Sequence, residues 1–568
     1  MTSSSKRYGS DLVVDLLCQA GIDHVAFNPG ASFRGIHDSL VHNPGAPELT
    51  LCMHEMIAVS MTQGYAKATG KMMAAMLHNV VGLQNASMAI YNAWCDRAPV
   101  LLLGGTGPKS KAQRRPWIDW IHTASVQANL VRDFVKWDDE PHDVPSIEES
   151  FARGIATATS SPPGPVYLCY DVDLQEDPLP DDFIASGIGR YAVPSSPDAT
   201  PDDVVWMVET LRAAERPVIL AGYVAETHEG FTGLAQLAEM IGAPVVDTGV
   251  RHAVATTHPL AGTHIGQFLD EADVVLALDV EDIHSHLGSR FGTAGLTVIN
   301  VRLASLKVRA WAHDYQAMVP AHRHITASAD NVAAALAERL HKEPLPHDVV
   351  ARRVRSITDK TTSMRVAWAR SASTATEAGA VPIERMLYEV EKAIAGVPFV
   401  LGGGTNGRLE HKYFPLDRPR QYAGWAAGGG LGYGVGGALG VALGQQKGTI
   451  TVNIQADGDL LFLPSALWTA VNKSLPVLTV VHNNRQYGNT VEHAIKIGNH
   501  RGHGTAHRYV GAGLDQPAVD IATMARSFGM WAAGPIADPQ TLSEQLAAAV
   551  EQVRAGRPAL LDVLTPGF

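Results

Sequence analysis

Short apolar segments alternate with helix-length segments along almost the whole chain of 568 residues. In the first third, the strand-like His24–Phe27 and Met73–Leu77 lie on either side of a helix-like segment that runs from Glu55 to Thr69. Strands that alternate with helices predict parallel sheets covered by helices on both faces. This pattern restricts the chain to the α/β class.

The length of the chain predicts about three domains. The sequence divides into a first domain of residues 1–190, a central domain of residues 191–340, a connecting stretch of residues 341–380 and a last domain of residues 381–568. The run YAVPSSPDATPD, rich in Pro, Ser and Asp, marks the first boundary. We expect a doubly wound parallel sheet in each domain, with ligands bound at the carboxyl ends of the strands.

Composition and charge exclude several classes of protein. Hydrophobic residues make up 46% and charged residues 18% of the chain, which indicates a compact folded protein. The net charge of −12, without a run dense in Lys and Arg, argues against nucleic-acid binding. The sequence has no apolar run long enough for a membrane span and no signal-peptide pattern, so we expect a cytoplasmic protein. No pair among Cys18, Cys52, Cys95 and Cys169 has metal-ligand spacing, which predicts free buried thiols.

The segment QADGDLLFLPSALWTAVNKSLPVLTVVHNN carries the sharpest chemical signal. Asp457-Gly458 follows one predicted strand and Asn483-Asn484 follows the next, so Asp457 and Asn484 can reach one ion at the same sheet edge. Mg²⁺ prefers such oxygen ligands, and the main-chain carbonyl of Gln486 is a candidate third ligand. Gly458 permits backbone N–H groups to approach a phosphate. The alternative is two ordinary turns, in which Asp, Gly and Asn are common.

Asp457-Gly458 followed by Asn483-Asn484 resembles the signature of thiamine-diphosphate-dependent enzymes of the decarboxylase and acetohydroxyacid synthase group. The resemblance extends along essentially the whole chain. It implies a pyrimidine-binding, a central and a diphosphate-binding domain, in that order, with thiamine diphosphate and Mg²⁺ as cofactors. The sequence departs from the family at Ala456, which is usually Gly, and at Asp459, which is often small or neutral.

The resemblance also assigns the cofactor contacts. Glu55, in the segment CMHEMIAVSMTQGYAKATG, matches the family's glutamate that hydrogen-bonds N1′ of the aminopyrimidine ring. This role needs a dry setting, and Met53, Met56 and Ile57 are consistent with one. The alternative for Glu55 is an acid favoured by the helix dipole. The other predicted cofactor-binding residues are Asn28, Pro29, Gly30, Gly404, Thr405, Asn406, Gly429, Gly430, Leu431, Gly458, Asp459, Asn484 and Tyr487.

The glycine run Gly428-Gly429-Gly430-Leu431-Gly432 lets the backbone lie against a flat ring. In the family, a large apolar residue at this point bends the cofactor, and Leu431 matches it. The alternative is a flexible loop followed by helix packing through small residues.

Two histidines are predicted to act on the substrate. His78 ends the strand Met73–Leu77 and is similar in position to the substrate-facing histidine of benzoylformate decarboxylases, whereas their active-site serine is replaced here by Ala31. His286 matches a second catalytic histidine, and His284 is an equal contender. Histidine suits this role because it exchanges protons near neutral pH. The alternative for His78 is a strand-end histidine satisfied by backbone groups.

The resemblance implies an enzyme that makes or breaks a carbon–carbon bond next to a carbonyl. The first hypothesis is a decarboxylase or carboligase acting on 2-keto acids and aldehydes. The others are an acetolactate-synthase-like ligase, a lyase acting on 2-hydroxy ketones or 2-hydroxyacyl-CoA, and a catalytically silent subunit. In the family the active site lies between the first domain of one chain and the third of another, which implies a homo-oligomer, as a dimer of dimers.

Overall fold

The computed structural model describes residues 6–303 and 318–567. Its first sheet has six parallel strands in the order β2-β1-β3-β4-β6-β5. The strands are β1 His24–Phe27, β2 Glu48–Leu51, β3 Met73–Leu77, β4 Val100–Thr106, β5 Trp137–Asp139 and β6 Val166–Asp171. The helices are α1 Gly9–Gln19, α2 Arg34–His42, α3 Glu55–Thr69, α4 Asn79–Cys95, α5 Ile118–His122, α6 Val144–Thr159 and α7 Val172–Glu176.

The central sheet has five parallel strands in the order β11-β10-β9-β7-β8. The strands are β7 Pro217–Ala221, β8 Val245–Asp247, β9 Val274–Leu278, β10 Thr297–Val301 and β11 Arg323–Ile325. The helices are α8 Pro201–Ala213, α9 His228–Ile241, α10 Gln267–Asp270, α11 Ile283–Leu287 and α12 Ala329–Lys342. The stretch predicted as a connection contains α13, His347–Thr374, whose apolar side chains pack on the central core.

The third sheet has five parallel strands in the order β12-β13-β14-β16-β15. The strands are β12 Phe399–Leu401, β13 Ile450–Ala456, β14 Val477–Asn483, β15 Trp531–Ile536 and β16 Ala559–Leu564. The helices are α14 Ile383–Ala393, α15 Glu410–Tyr413, α16 Tyr433–Leu443, α17 Asp457–Phe462, α18 Ala466–Asn472, α19 Gly488–Arg501, α20 Ile521–Ser527 and α21 Pro539–Arg554.

The prediction of three parallel-sheet α/β domains is confirmed. Strands β3 and β4 have fully buried side chains, as expected for a sheet covered on both faces. The first and third sheets also share one plan, because in both the last strand lies inside the sheet and the strand before it forms the edge. Among the described residues, no helix combines the length and apolar character that crossing a membrane requires.

Helices α3 and α16 join the first domain to the third. They cross so closely that a Cβ on Gly64 would lie 2.0 Å from the carbonyl oxygen of Gly437, and one on Gly440 would lie 1.8 Å from that of Met61. Apolar residues of both domains form one continuous core around this crossing. Part of the glycine-dense region therefore serves helix packing, which was the alternative interpretation of these glycines.

Two smaller expectations were wrong. Cys18 is exposed, although Cys52 and Cys169 are buried and all four cysteines are free thiols. Met53 leaves 45% of its surface exposed in this chain, because it precedes α3 instead of packing beneath it.

Candidate active site

A cavity of about 900 Å³ opens at the carboxyl ends of β13 and β14 in the third domain. All of its lining residues lie between residues 377 and 566. The predicted cofactor and metal residues of this domain all take part in the lining: Gly404, Thr405, Asn406, Gly429, Gly430, Leu431, Asp457, Gly458, Asp459, Asn484, Gln486 and Tyr487. One wall thus collects residues from four separate loops.

Asp457 and Asn484 come together because β13 and β14 are paired neighbours, with Ala456 opposite His482. Asp457 is the first residue of α17 and is only 2% exposed. Its Oδ2 is buried and has no hydrogen-bond partner among the described residues. Burial raises the pKa of Asp457 to about 6. A buried acceptor left in this state is poised for a cation.

Asn483 and Asn484 have different contacts: the first bonds to the sheet, and the second lines the cavity. The Asn483 side chain donates to Asp562 on β16 at 2.8 Å and accepts the Arg485 N–H at 3.1 Å, so it anchors the turn to the sheet. Asn484 lines the cavity, and its Oδ1 accepts the N–H of Gln486 at 3.2 Å. The turn places Arg485 at a φ of 54°, in the left-handed region, and directs the chain from Asn484 to Gln486 along the cavity wall.

Asp459 lines the cavity, but its carboxylate is directed at the amino end of α16. It accepts the N–H groups of Gly432 at 2.5 Å and Gly434 at 3.3 Å, and Gln455 donates to its second oxygen. These bonds satisfy backbone donors that a helix start leaves free. The acidic departure from the family is therefore occupied in capping α16.

The glycine run is shaped by the first domain. A Cβ on Gly430 would lie 2.3 Å from the end of Met88, and one on Gly428 would lie 2.6 Å from the side chain of Asn92, both on α4. Leu431, the next residue, is 41% exposed and lines the cavity. Helix α4 therefore leaves little room for a side chain at either position, and Leu431 follows directly in the cavity wall.

In the loop that follows β12, Thr405 makes its hydrogen bonds within the loop itself. Glu410, a fully buried residue, accepts the backbone N–H of Thr405, and the Thr405 hydroxyl accepts the N–H of Leu409 at 3.0 Å. Gly404 and Asn406 on either side also line the cavity. The Thr405 N–H is thus engaged within the loop.

Glu55 begins α3 and is 5% exposed, consistent with the expected dry setting. The Asn85 amide on α4 donates to its Oε2 at 3.1 Å, and Gly82 leaves room for its Oε1. Among the residues that the structure describes, none from the first domain lines the third-domain cavity. Within one chain, the structure therefore does not bring Glu55 to the wall that holds Asp457.

The predicted segment Asn28-Pro29-Gly30 lies beside His78. Asn28 donates from its amide to the Cys52 carbonyl at 2.9 Å, which links the ends of β1 and β2. A Cβ on Gly30 would lie 2.4 Å from the His78 ring. Glycine at this position is therefore what lets the imidazole occupy its place.

Ser32, which the sequence analysis missed, hydrogen-bonds His78. Its Oγ lies 2.9 Å from Nδ1 of His78 and accepts the N–H of Asn79 at 3.2 Å. The position next to Ala31 holds the hydroxyl that seemed to be lost. Burial lowers the pKa of His78 to about 4, with smaller contributions from His122 and Arg115.

A second histidine near His78 comes from the first domain. The rings of His78 and His122 meet edge to face at 5.5 Å, and His122 ends the short helix α5. In contrast, His286 lies on α11 of the central domain, and His284 packs on Phe291 at 4.2 Å. None of these four histidines lines the third-domain cavity. On α5 and just before it, Trp117 and Trp120 are 66% and 73% exposed.

The chain matches three family descriptions over most of its length. Residues 7–130 match the thiamine pyrophosphate enzyme N-terminal TPP binding domain, residues 204–336 match its central domain, and residues 402–563 match its C-terminal TPP binding domain. The chain belongs to the thiamine pyrophosphate enzyme family. The cavity of this enzyme lies in its C-terminal TPP binding domain, and Glu55 and His78 lie in the N-terminal one.

Characterised relatives of this thiamine pyrophosphate enzyme include both decarboxylases and synthases. Benzoylformate decarboxylase of Pseudomonas aeruginosa is 25% identical over 97% of each chain. The large subunit of Escherichia coli acetolactate synthase isozyme 3 is 25% identical over 98% of this chain and 95% of the relative.

Solved structures share the fold over 99% of both chains. The thiamine diphosphate-dependent 4-hydroxybenzoylformate decarboxylase of Rhodococcus jostii superposes with a TM-score of 0.79 at 20% identity. Benzoylformate decarboxylase of Polynucleobacter necessarius superposes with a TM-score of 0.78 at 18% identity.

Proposed function

We propose that this thiamine pyrophosphate enzyme uses Mg²⁺ to bind thiamine diphosphate and acts as a 2-keto acid decarboxylase or carboligase, similar to benzoylformate decarboxylase. The observation that carries the proposal is the buried Oδ2 of Asp457, which has no hydrogen-bond partner in the described part of the chain and lies in a cavity shared with Asn484 and Gln486.

The donor set of the cavity fits Mg²⁺. The ion would satisfy Asp457 Oδ2 and favour its ionised form. Asn484 Oδ1 accepts one N–H and keeps a second lone pair for a metal. The main-chain carbonyl of Gln486 would be the third protein ligand. The cavity volume of about 900 Å³ also leaves space for a cofactor-sized molecule.

Thiamine diphosphate, when bound, supplies the electron sink for a carbon–carbon bond change beside a carbonyl. The chain's part is to hold and orient it. Gly458, whose Cα faces the Tyr487 ring, and the loop of Gly404 and Asn406 would contact the diphosphate through backbone N–H groups. Leu431, which is partly exposed in the cavity wall, would contact the cofactor.

Glu55 would complete the site of a second copy of the chain. It is buried in the first domain, outside the cavity wall of its own chain, and Asn85 orients its carboxyl group. A carboxyl group held in this way would hydrogen-bond the cofactor ring of its neighbour. The proposal therefore requires a homo-oligomer, with a dimer of dimers as the complete assembly.

His78 would act on the substrate as a neutral hydrogen-bond donor. Ser32 Oγ accepts the Asn79 N–H, so its own proton is free for Nδ1 of His78. This arrangement favours the tautomer with the proton on Nε2, and the pKa of about 4 keeps the ring neutral at pH 7. Nε2–H would donate a hydrogen bond to a substrate oxygen, with the His122 ring beside it at 5.5 Å.

Cofactor binding followed by exchange of the cofactor C2 proton tests the catalytic assignment. The wild type should bind thiamine diphosphate only with Mg²⁺ and should exchange the proton rapidly. Glu55→Gln should bind but exchange at least about a hundredfold more slowly, because the ring loses its acid partner. Binding without any dependence on Mg²⁺, or undiminished exchange in Glu55→Gln, would refute the assignment.

A second candidate is an acetolactate-synthase-like ligase, which the full-length similarity to the Escherichia coli synthase favours. A substrate screen separates the two. Benzoylformate, pyruvate and branched 2-keto acids are incubated with and without an acceptor aldehyde, and CO₂ and products are measured. CO₂ release with an aldehyde product from one keto acid supports the decarboxylase, whereas condensation of two keto acids supports the ligase. No CO₂ from any of them contradicts both.

A further inference from the structure

Helix α4 of the first domain hydrogen-bonds the loop that contains Leu431. Asn92 is completely buried, and its amide makes two hydrogen bonds to one residue. Its Nδ2 donates to the Gly430 carbonyl at 3.2 Å, and its Oδ1 accepts the Gly430 N–H at 3.1 Å. Because Asn92 bonds both the carbonyl and the N–H of Gly430, it fixes the orientation of this residue as well as its position.

The same face of α4 holds the loop at a second point. Asp96, one turn beyond Asn92, accepts the N–H of Ala427 at 3.3 Å. Its other oxygen accepts from Lys67 at 2.8 Å, and Lys67 also donates to the Trp425 carbonyl at 2.7 Å. The backbone between Trp425 and Gly430 is therefore tied to the first domain at three residues.

The amino-terminal half of α4 serves the catalytic acid. Asn85 donates to Glu55, and it lies seven residues before Asn92, which is about 10 Å along a helix. One rigid helix thus positions both the Glu55 carboxyl group and the backbone next to Leu431. Asn85, which contacts Glu55, and Asn92, which contacts Gly430, are two helical turns apart.

We propose that Asn92 is a positioning residue for the reaction. It sets the orientation of the Gly430 backbone, and through it the place of Leu431 under the cofactor. This inference rests on the proposed function, which gives Leu431 to the cofactor of its own chain and Glu55 to that of the neighbour. Helix α4 then mechanically joins two active centres of a dimer.

Asn92→Leu, which is close in size, removes both hydrogen bonds, and Asn92→Ser is a smaller second variant in case the first does not fold. Thiamine diphosphate affinity with Mg²⁺ is measured from the quenching of tryptophan fluorescence, since Trp425 lines the cavity. We expect about tenfold weaker binding, because two hydrogen bonds hold the loop. We also expect a lower kcat with an almost unchanged substrate KM.

Asn300→Leu is the matched control, since Asn300 is a buried amide in the central domain that lies against His324. It should lower the melting temperature without changing cofactor affinity or kcat. If the folded Asn92 variants also lost only stability, Asn92 would be a structural residue and the proposal would be wrong.

Mixed oligomers, assembled with two affinity tags, test whether Asn92 affects the active centre that contains Leu431 of its own chain. When Glu55→Gln and Asn92→Leu are in the same subunit beside a wild-type partner, the remaining active centre contains the disturbed Leu431 and should be impaired. When they are in different subunits, the remaining centre should keep wild-type kcat. Equal activity of the two mixtures would overturn the proposal, whereas full activity of the pure Glu55→Gln enzyme would instead refute the proposed function.

Discussion

Ser32 Oγ and His78 Nδ1 lie 2.9 Å apart, and the hydroxyl also accepts the N–H of Asn79. The Ser32 hydroxyl thus accepts a backbone N–H at the start of α4, and its own proton is available for a hydrogen bond to the imidazole. Its own position is fixed, because Gln175 donates to the Ser32 carbonyl at 2.8 Å. In the proposed function, these contacts would favour the tautomer of His78 with its hydrogen on Nε2.

Ser32→Ala should lower kcat by about tenfold or more, because Nδ1 loses its donor and the Nε2–H tautomer is no longer favoured. The measurement is steady-state kinetics combined with nitrogen NMR of the histidine tautomers. Cofactor affinity should stay unchanged, since the Ser32 hydroxyl contacts His78 and Asn79 and is not among the proposed cofactor contacts.

Ser39→Ala is the control for loss of a buried hydroxyl in the same domain, where Ser39 bonds to Ser10 and Asp11. It should leave kcat and the tautomer of His78 unchanged. If Ser32→Ala behaved like this control, Ser32 would have no part in orienting the imidazole.

His252 should make the protein sensitive to acid. Burial lowers its pKa to about 4, and its Nε2 hydrogen-bonds the carbonyl of Arg418 at 2.7 Å. A pKa that is lower in the folded state than in the unfolded state means that the unfolded chain binds more protons between about pH 6.5 and pH 4. As the pH is lowered from about 6.5 to about 4, the free energy of unfolding should therefore fall, by about 3 kcal/mol for this group.

Urea denaturation at pH 7 and pH 5 measures this effect. His252→Gln keeps a donor but does not titrate, so the difference in midpoint between the two pH values should shrink. His341→Gln, on the exposed end of α12, is the control and should keep the wild-type difference. An unchanged pH response in His252→Gln would contradict the assignment.

Substitutions of Asp457 and Asp459 should have different effects, one on Mg²⁺ binding and the other on stability, although both residues line one cavity wall. Asp457→Asn should raise the Mg²⁺ concentration needed for cofactor binding by at least about tenfold, because an ionised ligand is lost. Asp459→Ala should instead lower stability by about 1 kcal/mol, because the start of α16 loses its cap.

Titration of Mg²⁺ into protein that was first dialysed against EDTA, followed by thermal melting, separates the two effects. Removal of the metal should abolish cofactor binding in the wild type and should be reversible. A shift of the Mg²⁺ requirement in Asp459→Ala equal to that in Asp457→Asn would mean that both carboxylates serve the metal.

The sequence predicted the parts of the site that depend on local order. Alternating strands and helices place Asp457 and Asn484 at one edge of a parallel sheet, so their proximity follows from topology alone. Glu55 at the start of α3 followed from the pattern of its segment.

Other features depend on contacts between distant parts of the chain. The carboxylate of Asp459 turns towards α16 because folding brings the start of that helix beside it. Asn92 and Gly430 are 338 positions apart, and no local pattern signals their contact. Ser32 was missed because the expected serine position is occupied by Ala31, and only the structure places the neighbouring hydroxyl on His78.

We propose that Glu55 of one subunit and Asp457 of another form one active centre. Glu55→Gln and Asp457→Ala proteins, each inactive alone, are dissociated, mixed in equal amounts and allowed to reassociate. Half of the dimers should be mixed, and each should contain one intact centre of two, which restores about a quarter of the wild-type activity. If the mixture stayed as inactive as the separate variants while mixed oligomers formed, the two residues would not act across subunits.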